Sequence, residues 1–514
     1  MHDLAPKKKR SLMVTSAPPM SPLDRVMLEL RGLDVDGAID LVGSPAVDRP
    51  LKTTVSLCPT CLAYVPALVY ERAGRVIIAK RCAEHGTSQA LLENNARFYA
   101  LSNKDKTGRR FAEDRVFHIP EFSSCCGPGE SCGPSDGTEK RVFDASGQGT
   151  DQMINRTCTV LVEVTDACNL TCRVCYSESA GDRFLPFDTF KTHIRALIEK
   201  KGLLDSVQVT GGESTLHPRF WDMIAFLHGE AGVKKIFVPT NGLRLAKAEE
   251  RARFVPFADK LVVLLQFDAL SRETNQTMRR AEPAELRRTI IADLDRLGVP
   301  MQLTMTLSKG VNESELGDVV DVALDHHMVK LVALQPATWS GRFELEADPM
   351  ERLTLSDCAA AVLTRANLRL SSDDFVPIPC SHPNCGWVTV FARRFGVVHN
   401  VMKYVDIDKA MNEVAYKTML STEEIQKVVG TDDRSVVSKV AAWLGSRVVK
   451  STDMFSIAIK PFMDRYSYDQ DRIANCCHHI TDTHGGLRSF CEYNALGRRS
   501  DPWSRFPTRQ SDSV

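Results

Sequence analysis

The chain has 514 residues, of which 43% are hydrophobic and 25% charged, the composition of an ordinary globular protein of several domains. Its 65 basic and 65 acidic side chains cancel to a formal net charge of zero, so overall charge gives no reason to expect nucleic acid or a strongly anionic surface as partner. No apolar run approaches the roughly 20 residues needed to span a bilayer. No secretory-type apolar stretch opens the sequence either, so a cytoplasmic protein is expected. Disulfides are disfavoured in a reducing compartment, and the 16 cysteines therefore argue for metal.

Residues 1–50 read as a tail and short lead-in; the basic run from Lys7 to Arg10 could touch phosphates or anionic lipid headgroups, but the Ser- and Pro-rich sequence after it favours a solvated tail. Residues 51–150 form a cysteine module. Cys58-Pro-Thr-Cys61 and Cys82-Ala-Glu-His85-Gly flank the strand-like runs LVYER and RVIIAKR. Two cysteine knuckles around a hairpin describe a rubredoxin-like or zinc-ribbon-like site on Cys58, Cys61 and Cys82, with iron and zinc both suited to it. His85 is expected to stabilise its turn. The stretch SSCCGPGESCGPSDG carries Cys125, Cys126 and Cys132 and reads as a loop.

Residues 151–345 show a different order. Strand-like runs at 159–165, 206–212, 235–241, 260–268, 301–307 and 330–336 alternate with segments whose apolar residues recur every three or four positions. Near-continuous apolar strands alternating with amphipathic helices mean α/β architecture with a parallel sheet. Six units are fewer than a closed eight-unit barrel needs, so a partial (β/α)6 barrel is expected. Function in such folds gathers at the strand C-termini. Cys168 follows strand one, Glu213 strand two and Asn241 strand three. Asp268 ends strand four, with Gln266 just before it, and Gln335 lies at strand six.

The loop after strand one carries Cys168-x-x-x-Cys172-x-x-Cys175. Three thiolates at this spacing can hold three irons of a [4Fe-4S] cluster and leave the fourth iron open. Residues 346–514 form a C-terminal cysteine-rich extension with Cys380 and Cys385 in VPIPCSHPNCGW, a helix-like stretch near 420–445, and Cys476, Cys477 and Cys491 in NCCHHITDTHGGLRSFCEYN. His478 and His479 are weaker ligand candidates. Cys158 and Cys358 read as buried thiols.

Cys168, Cys172 and Cys175, followed one unit later by Gly211-Gly212-Glu213, resemble the radical SAM superfamily. The resemblance implies that the open iron chelates the amino and carboxylate groups of S-adenosylmethionine. One electron then cleaves the cofactor, and a 5′-deoxyadenosyl radical abstracts hydrogen from an unactivated C–H bond. It further implies that Gly211, Gly212 and Glu213 serve the methionine amine, and that Asn241, Gln266, Asp268 and Gln335 serve ribose or carboxylate groups. The aromatic residue usual before the third cysteine is here Val174, with Tyr176 just beyond. The order CPTC, CAEHG, cysteine-rich loop, radical SAM unit, VPIPCSHPNCGWVTVF and CCHH…FCEYN is similar to a subgroup containing tetraether lipid synthases and radical SAM methylases of pterin biosynthesis. This implies a mononuclear iron or zinc on Cys58, Cys61 and Cys82. Auxiliary [4Fe-4S] clusters would draw on Cys125 or Cys126 with Cys132, Cys380 with Cys385, and Cys476 or Cys477 with Cys491. Lipid-tail coupling is the favoured activity, with methylation of a pterin-like molecule as the alternative and a zinc scaffold with a degenerate barrel as an alternative of another class. A one-electron donor such as ferredoxin or flavodoxin is implied, and peripheral contact with the inner face of the membrane follows only from the lipid resemblance. Arg342, just past strand six, is a candidate for either a cofactor contact or a surface ion pair.

Overall fold

The computed structural model describes residues 20–102, 157–366, 368–378, 382–394, 397–402, 453–474 and 476–508. Cys125, Cys126, Cys132, Cys380, the basic run at 7–10 and the helix expected near 420–445 lie outside the described residues.

Residues 49–93 build a four-stranded antiparallel sheet in the order β1 (Arg49–Leu57), β2 (Tyr64–Arg72), β3 (Arg75–Cys82) and β4 (Gly86–Glu93). The β2–β3 turn is tight because Ala73 and Gly74 both take positive φ, 50° and 72°. Two helices, Pro22–Leu30 and Val35–Leu41, precede it, capped by the side chains of Ser21 and Asp34.

Among the described residues the second sheet has twelve strands. Its centre is β5 (Thr159–Glu163), β7 (Ser206–Thr210), β8 (Ile236–Thr240), β9 (Leu261–Gln266), β10 (Met301–Leu307) and β11 (Val329–Pro336), parallel and adjacent in chain order. All six strand-like runs of the sequence are therefore strands. Each crossover carries helix. The segment Phe187–Lys201, for example, turns Phe190, Ile194 and Leu197 onto the sheet and ends at Gly202, whose φ is 82°. These residues join Val160, Val207, Leu265, Met305 and Val332 in one continuous core.

The C-terminal region completes this sheet at both margins. The strand β16 (Met454–Ile459) lies parallel to β11, and β17 (His478–Thr481) lies parallel to β5, with His478 opposite Thr159. Outside these run β14 (Trp387–Arg394), β13 (Val376–Pro377) and β15 (Val397–Asn400) on one side and β18 (Leu487–Ser489) on the other. The path from β13 to β18 does not close on itself among the described residues. A separate two-stranded ribbon pairs β6 (Val174–Cys175) with β12 (Arg342–Phe343).

Candidate functional site

Beyond β5 the chain runs through Thr165 and Ala167 to Cys168, beside the Gly211-Gly212-Glu213 turn that ends β7. The amides of Gly212 and Glu213 donate to the carbonyls of Thr165 and Ala167, both at 2.8 Å. Gly211 has φ of 142°, and a Cβ there would lie 2.2 Å from Thr165 O. A Cβ on Gly212 would lie 2.1 Å from Ala167 O. The sequence suggested that these glycines admit a ligand's amine. In the structure their close approach is to the root of the cysteine loop, which they hold in place.

Three arginines grip that loop by its carbonyls. Arg279 Nη1 donates to Val174 O at 3.0 Å, Arg342 Nη1 to Cys172 O at 3.1 Å, and Arg280 Nη1 to Thr171 O at 3.4 Å. On the far side, Gly341 (φ 58°) lets β12 pass; a Cβ there would meet Cys175 O at 2.5 Å. Burial pushes the Cys168 thiol up to about 12, with the charges of Glu213, Cys175 and Cys172 adding to the effect against a backbone bond from Leu170. Three thiols on one loop whose carbonyls are held by guanidinium groups suit a shared anionic metal cluster. The triad therefore fits a [4Fe-4S] cluster.

The strand-end polar residues serve mainly to frame this loop. Glu213 is buried at 2% exposure; Oε1 accepts from Thr215 Oγ1 (2.6 Å) and Thr240 Oγ1 (2.8 Å), and Oε2 from the Asn241 amide (2.8 Å). It ties β7 to β8 and keeps lone-pair capacity on Oε2. Asn241 Nδ2 donates to Asn169 Oδ1 at 2.7 Å, linking β8 to the cysteine loop itself. Asp268 corrects the sequence expectation. It is fully buried and bound by Arg279 through Nε–Oδ2 (2.7 Å) and Nη2–Oδ1 (2.8 Å). It also accepts from Gln266 Nε2 (2.6 Å) and the Thr306 amide (2.9 Å), and with no exposed surface it presents no face to a ribose. The Gln266 amide is committed to Asp268, Thr304 O and Thr306 Oγ1. Gln335 lies half-buried opposite Thr306 with no side-chain bond among the described residues.

In the N-terminal sheet Cys58, Cys61, Cys82 and His85 bring their ligand atoms within 4.8 Å of one another. Cys61 Sγ is 3.9 Å from Cys82 Sγ, and His85 Nδ1 is 3.7 Å from Cys58 Sγ and 3.6 Å from Cys82 Sγ. Thiolates and an imidazole on a tetrahedral zinc stand about 3.8 Å (S–S) and about 3.5 Å (S–N) apart, given Zn–S and Zn–N lengths of about 2.3 and 2.0 Å. The geometry corrects the role given to His85: it is the fourth member of a Cys3His set. The signal was present in the sequence, since Cys82-x-x-His85 is a knuckle spacing.

A second group of thiols lies in the C-terminal region. Cys385, Cys476 and Cys491 each accept one N–H, from Arg472 Nε (3.3 Å), His478 N (3.4 Å) and Met463 N (3.3 Å). Burial and then the Cys385 charge push Cys476 up to about 12; burial, Cys476 and Cys385 likewise raise Cys491. N–H···S bonds and a buried guanidinium are what an iron–sulfur cluster's thiolates take as outer partners. Cys477 does not join them. It is 5% exposed and packs with Cys158 and Ile378, because consecutive residues entering β17 face opposite ways. His479 Nδ1 is 2.8 Å from Thr157 Oγ1, and the His478 ring packs against Phe462 and Phe490. Tyr176 packs edge-on to Phe490, ring centroids 5.1 Å apart, so it fills the space between the Cys175 loop and Cys491.

Residues 162–323 match the family model of the radical SAM superfamily, and residues 50–94 match the HMPTM N-terminal zinc ribbon domain. Residues 162–323 thus carry a radical SAM domain, and the chain is an iron–sulfur enzyme whose cofactors are a [4Fe-4S] cluster and S-adenosylmethionine, with a further metal site in its ribbon. More particularly, it is 24% identical over 504 residues to a 7,8-dihydro-6-hydroxymethylpterin dimethyltransferase of Methanocaldococcus jannaschii, a match covering 87% of this chain and 94% of that protein. A GTP 3',8-cyclase of Chlorobaculum tepidum is 29% identical over 189 residues, covering 34% of this chain and 53% of the relative. Among solved structures, SuiB of Streptococcus suis bound to S-adenosylmethionine matches 42% of this chain and 50% of its own, at 15% identity and TM-score 0.36. A radical SAM methyltransferase from Sphaerobacter thermophilus matches 65% of this chain and 80% of its own, at 13% identity and TM-score 0.29.

Proposed function

We propose that this chain is a radical SAM methyltransferase acting on a pterin-like small heterocycle. The observation that carries this is the span of the match to the pterin dimethyltransferase. It runs over 87% of the chain, far beyond the radical SAM domain at residues 162–323. The comparisons favour this over lipid-tail coupling, which rested on subgroup resemblance only. No helix among the described residues is long and apolar enough to cross a membrane.

The six parallel strands form the partial barrel of the family, and Cys168, Cys172 and Cys175 hold its cluster. When bound, the cluster and S-adenosylmethionine supply one-electron cleavage of the cofactor and hydrogen abstraction from carbon. The chain's own residues hold that chemistry in position. Arg279, Arg280 and Arg342 fix the loop carbonyls, and Gly211 and Gly212 fix its root. Glu213 offers the remaining acceptor on Oε2 to a cationic donor. Cys385, Cys476 and Cys491 hold an auxiliary cluster, with Cys380 as the fourth candidate; Cys125, Cys126 and Cys132 are a further group. A methyl donor and a one-electron reductant of the ferredoxin or flavodoxin class complete the reaction. The test is anaerobic reconstitution with iron and sulfide, then incubation with S-adenosylmethionine, a reductant and a hydroxymethyl dihydropterin. A methylated pterin supports the proposal; coupled or desaturated lipid chains with an untouched pterin would exclude it.

A further inference from the structure

The ribbon bonds residues 349–357 through Arg75 and the end of β4, and docks on the C-terminal region chiefly through one face of β1. Lys52, Thr54 and Ser56 alternate along β1, so their side chains leave on the same side. Lys52 is 2% exposed; its Nζ lies 2.7 Å from Asp469 Oδ2 and 3.1 Å from Asp471 Oδ2. Thr54 Oγ1 donates to Asp469 Oδ1 at 2.7 Å, and Ser56 Oγ to Tyr468 O at 2.6 Å. From β3, Lys80 Nζ donates to Arg465 O at 2.9 Å and Tyr466 O at 2.7 Å. Leu57, next to the metal ligand Cys58, is fully buried with Met463, Tyr468 and Ile473, and Cys491 packs at the edge of that cluster.

The polar contacts made by Lys52, Thr54, Ser56 and Lys80 here all land on the stretch 463–473. That stretch is also what the second thiol group leans on: Met463 N bonds Cys491 Sγ and Arg472 Nε bonds Cys385 Sγ. The Asp471 carboxylate reaches further. Its Oδ2 is 3.2 Å from Nε2 of His382, a wholly buried residue three positions before Cys385, whose Nδ1 accepts from the Asn384 amide at 3.1 Å. Lys52, Asp471 and His382 thus form a buried chain from the ribbon to the loop that carries Cys385. Burial alone would discharge Lys52, but Asp469 and Asp471 hold it as the cation.

We infer that the zinc ribbon is the scaffold of the second cluster site: with Lys52 as the positioning residue, it fixes the segment 463–473 that orients Cys385 and Cys491. The inference rests on the proposal that Cys385, Cys476 and Cys491 hold a cluster. The ribbon metal then governs the second cluster and leaves the Cys168–Cys175 cluster untouched.

The test uses the full chain, reconstituted anaerobically with iron, sulfide and zinc. All spectra are taken after dithionite reduction and with Cys125, Cys126 and Cys132 changed to Ala. With Cys168, Cys172 and Cys175 also changed to Ala, electron paramagnetic resonance reports any second cluster alone; with Cys385, Cys476 and Cys491 changed to Ala instead, it reports the first. Lys52→Met should shift or abolish the second signal with zinc retained, Lys52→Arg should restore it, and neither should move the first. Because Lys52→Met strands two buried carboxylates and can prevent folding, two gentler perturbations accompany it: Ser56→Ala, and zinc removal by a chelator from the chain with Lys52 intact. Zinc release should bring a several-fold loss of the second signal only. A second signal unchanged after zinc release from folded protein overturns the inference while leaving the second cluster standing. If the zinc-loaded chain shows no second signal at all, the cluster assignment fails and the inference with it.

Discussion

Arg279 offers the sharpest separation of fold from site. Its guanidinium makes the two bonds to Asp268 (2.7 and 2.8 Å), one to Thr306 Oγ1 (2.9 Å) and one to Val174 O in the cysteine loop (3.0 Å). Arg279→Met strands Asp268, which has no exposure to water, and removing one partner of such a pair costs about 3–5 kcal/mol. Adding Asp268→Asn removes the second charge while keeping an acceptor for Gln266 and the Thr306 amide. Replacing both charges is commonly close to neutral, so most of the lost stability should return. The Val174 anchor does not return. The double variant should therefore unfold in urea near the wild-type midpoint yet bind less iron on the triad after reconstitution and release less deoxyadenosine. Full recovery of iron loading in the double variant would show that Arg279 acts only through the fold. An Arg279→Met protein as stable as wild type would show that the buried pair contributes nothing.

Changing Cys168, Cys172 or Cys175 to Ala should abolish deoxyadenosine formation in the reduced protein, and turnover in any one of them would refute the triad. Gly212→Ala should lower triad iron, since its Cβ would lie 2.1 Å from Ala167 O; wild-type iron content would contradict the close packing. His85→Ala should release zinc to a chelator far more readily than wild type, and His85→Cys should retain it; equal retention by the Ala variant would remove His85 from the ligand set. Burial alone would raise the Asp268 carboxyl, yet Arg279 holds it below the usual carboxylate value. Its contribution is therefore full above the unfolded value of about 4 and is lost as pH falls through the lower folded value. The stability gap between wild type and the Asp268→Asn, Arg279→Met protein should shift against the wild type as pH drops below about 4; a gap independent of pH would deny the pairing.

The six central strands were legible because strands buried on both faces are almost continuously apolar, as Leu261–Gln266 and Met301–Leu307 are. The cysteine triad was legible because its ligands are local in sequence. Asp268 was misjudged because its partner sits on the helix Arg272–Arg279, which is too polar to show an apolar stripe, eleven positions away and unannounced by any motif. The doublet Cys476-Cys477 could not be divided without the register of β17, a four-residue strand whose partner β5 lies over 300 positions earlier. Non-local pairing also hid the way β16 and β17 extend both margins of the sheet.

The central claim is tested most directly by product analysis of the reconstituted enzyme with S-adenosylmethionine, a one-electron reductant, a methyl donor and a hydroxymethyl dihydropterin, read by mass spectrometry. The account predicts deoxyadenosine together with a pterin that has gained one or two methyl groups, both absent from the Cys172→Ala variant. Deoxyadenosine beside an unmodified pterin would contradict it.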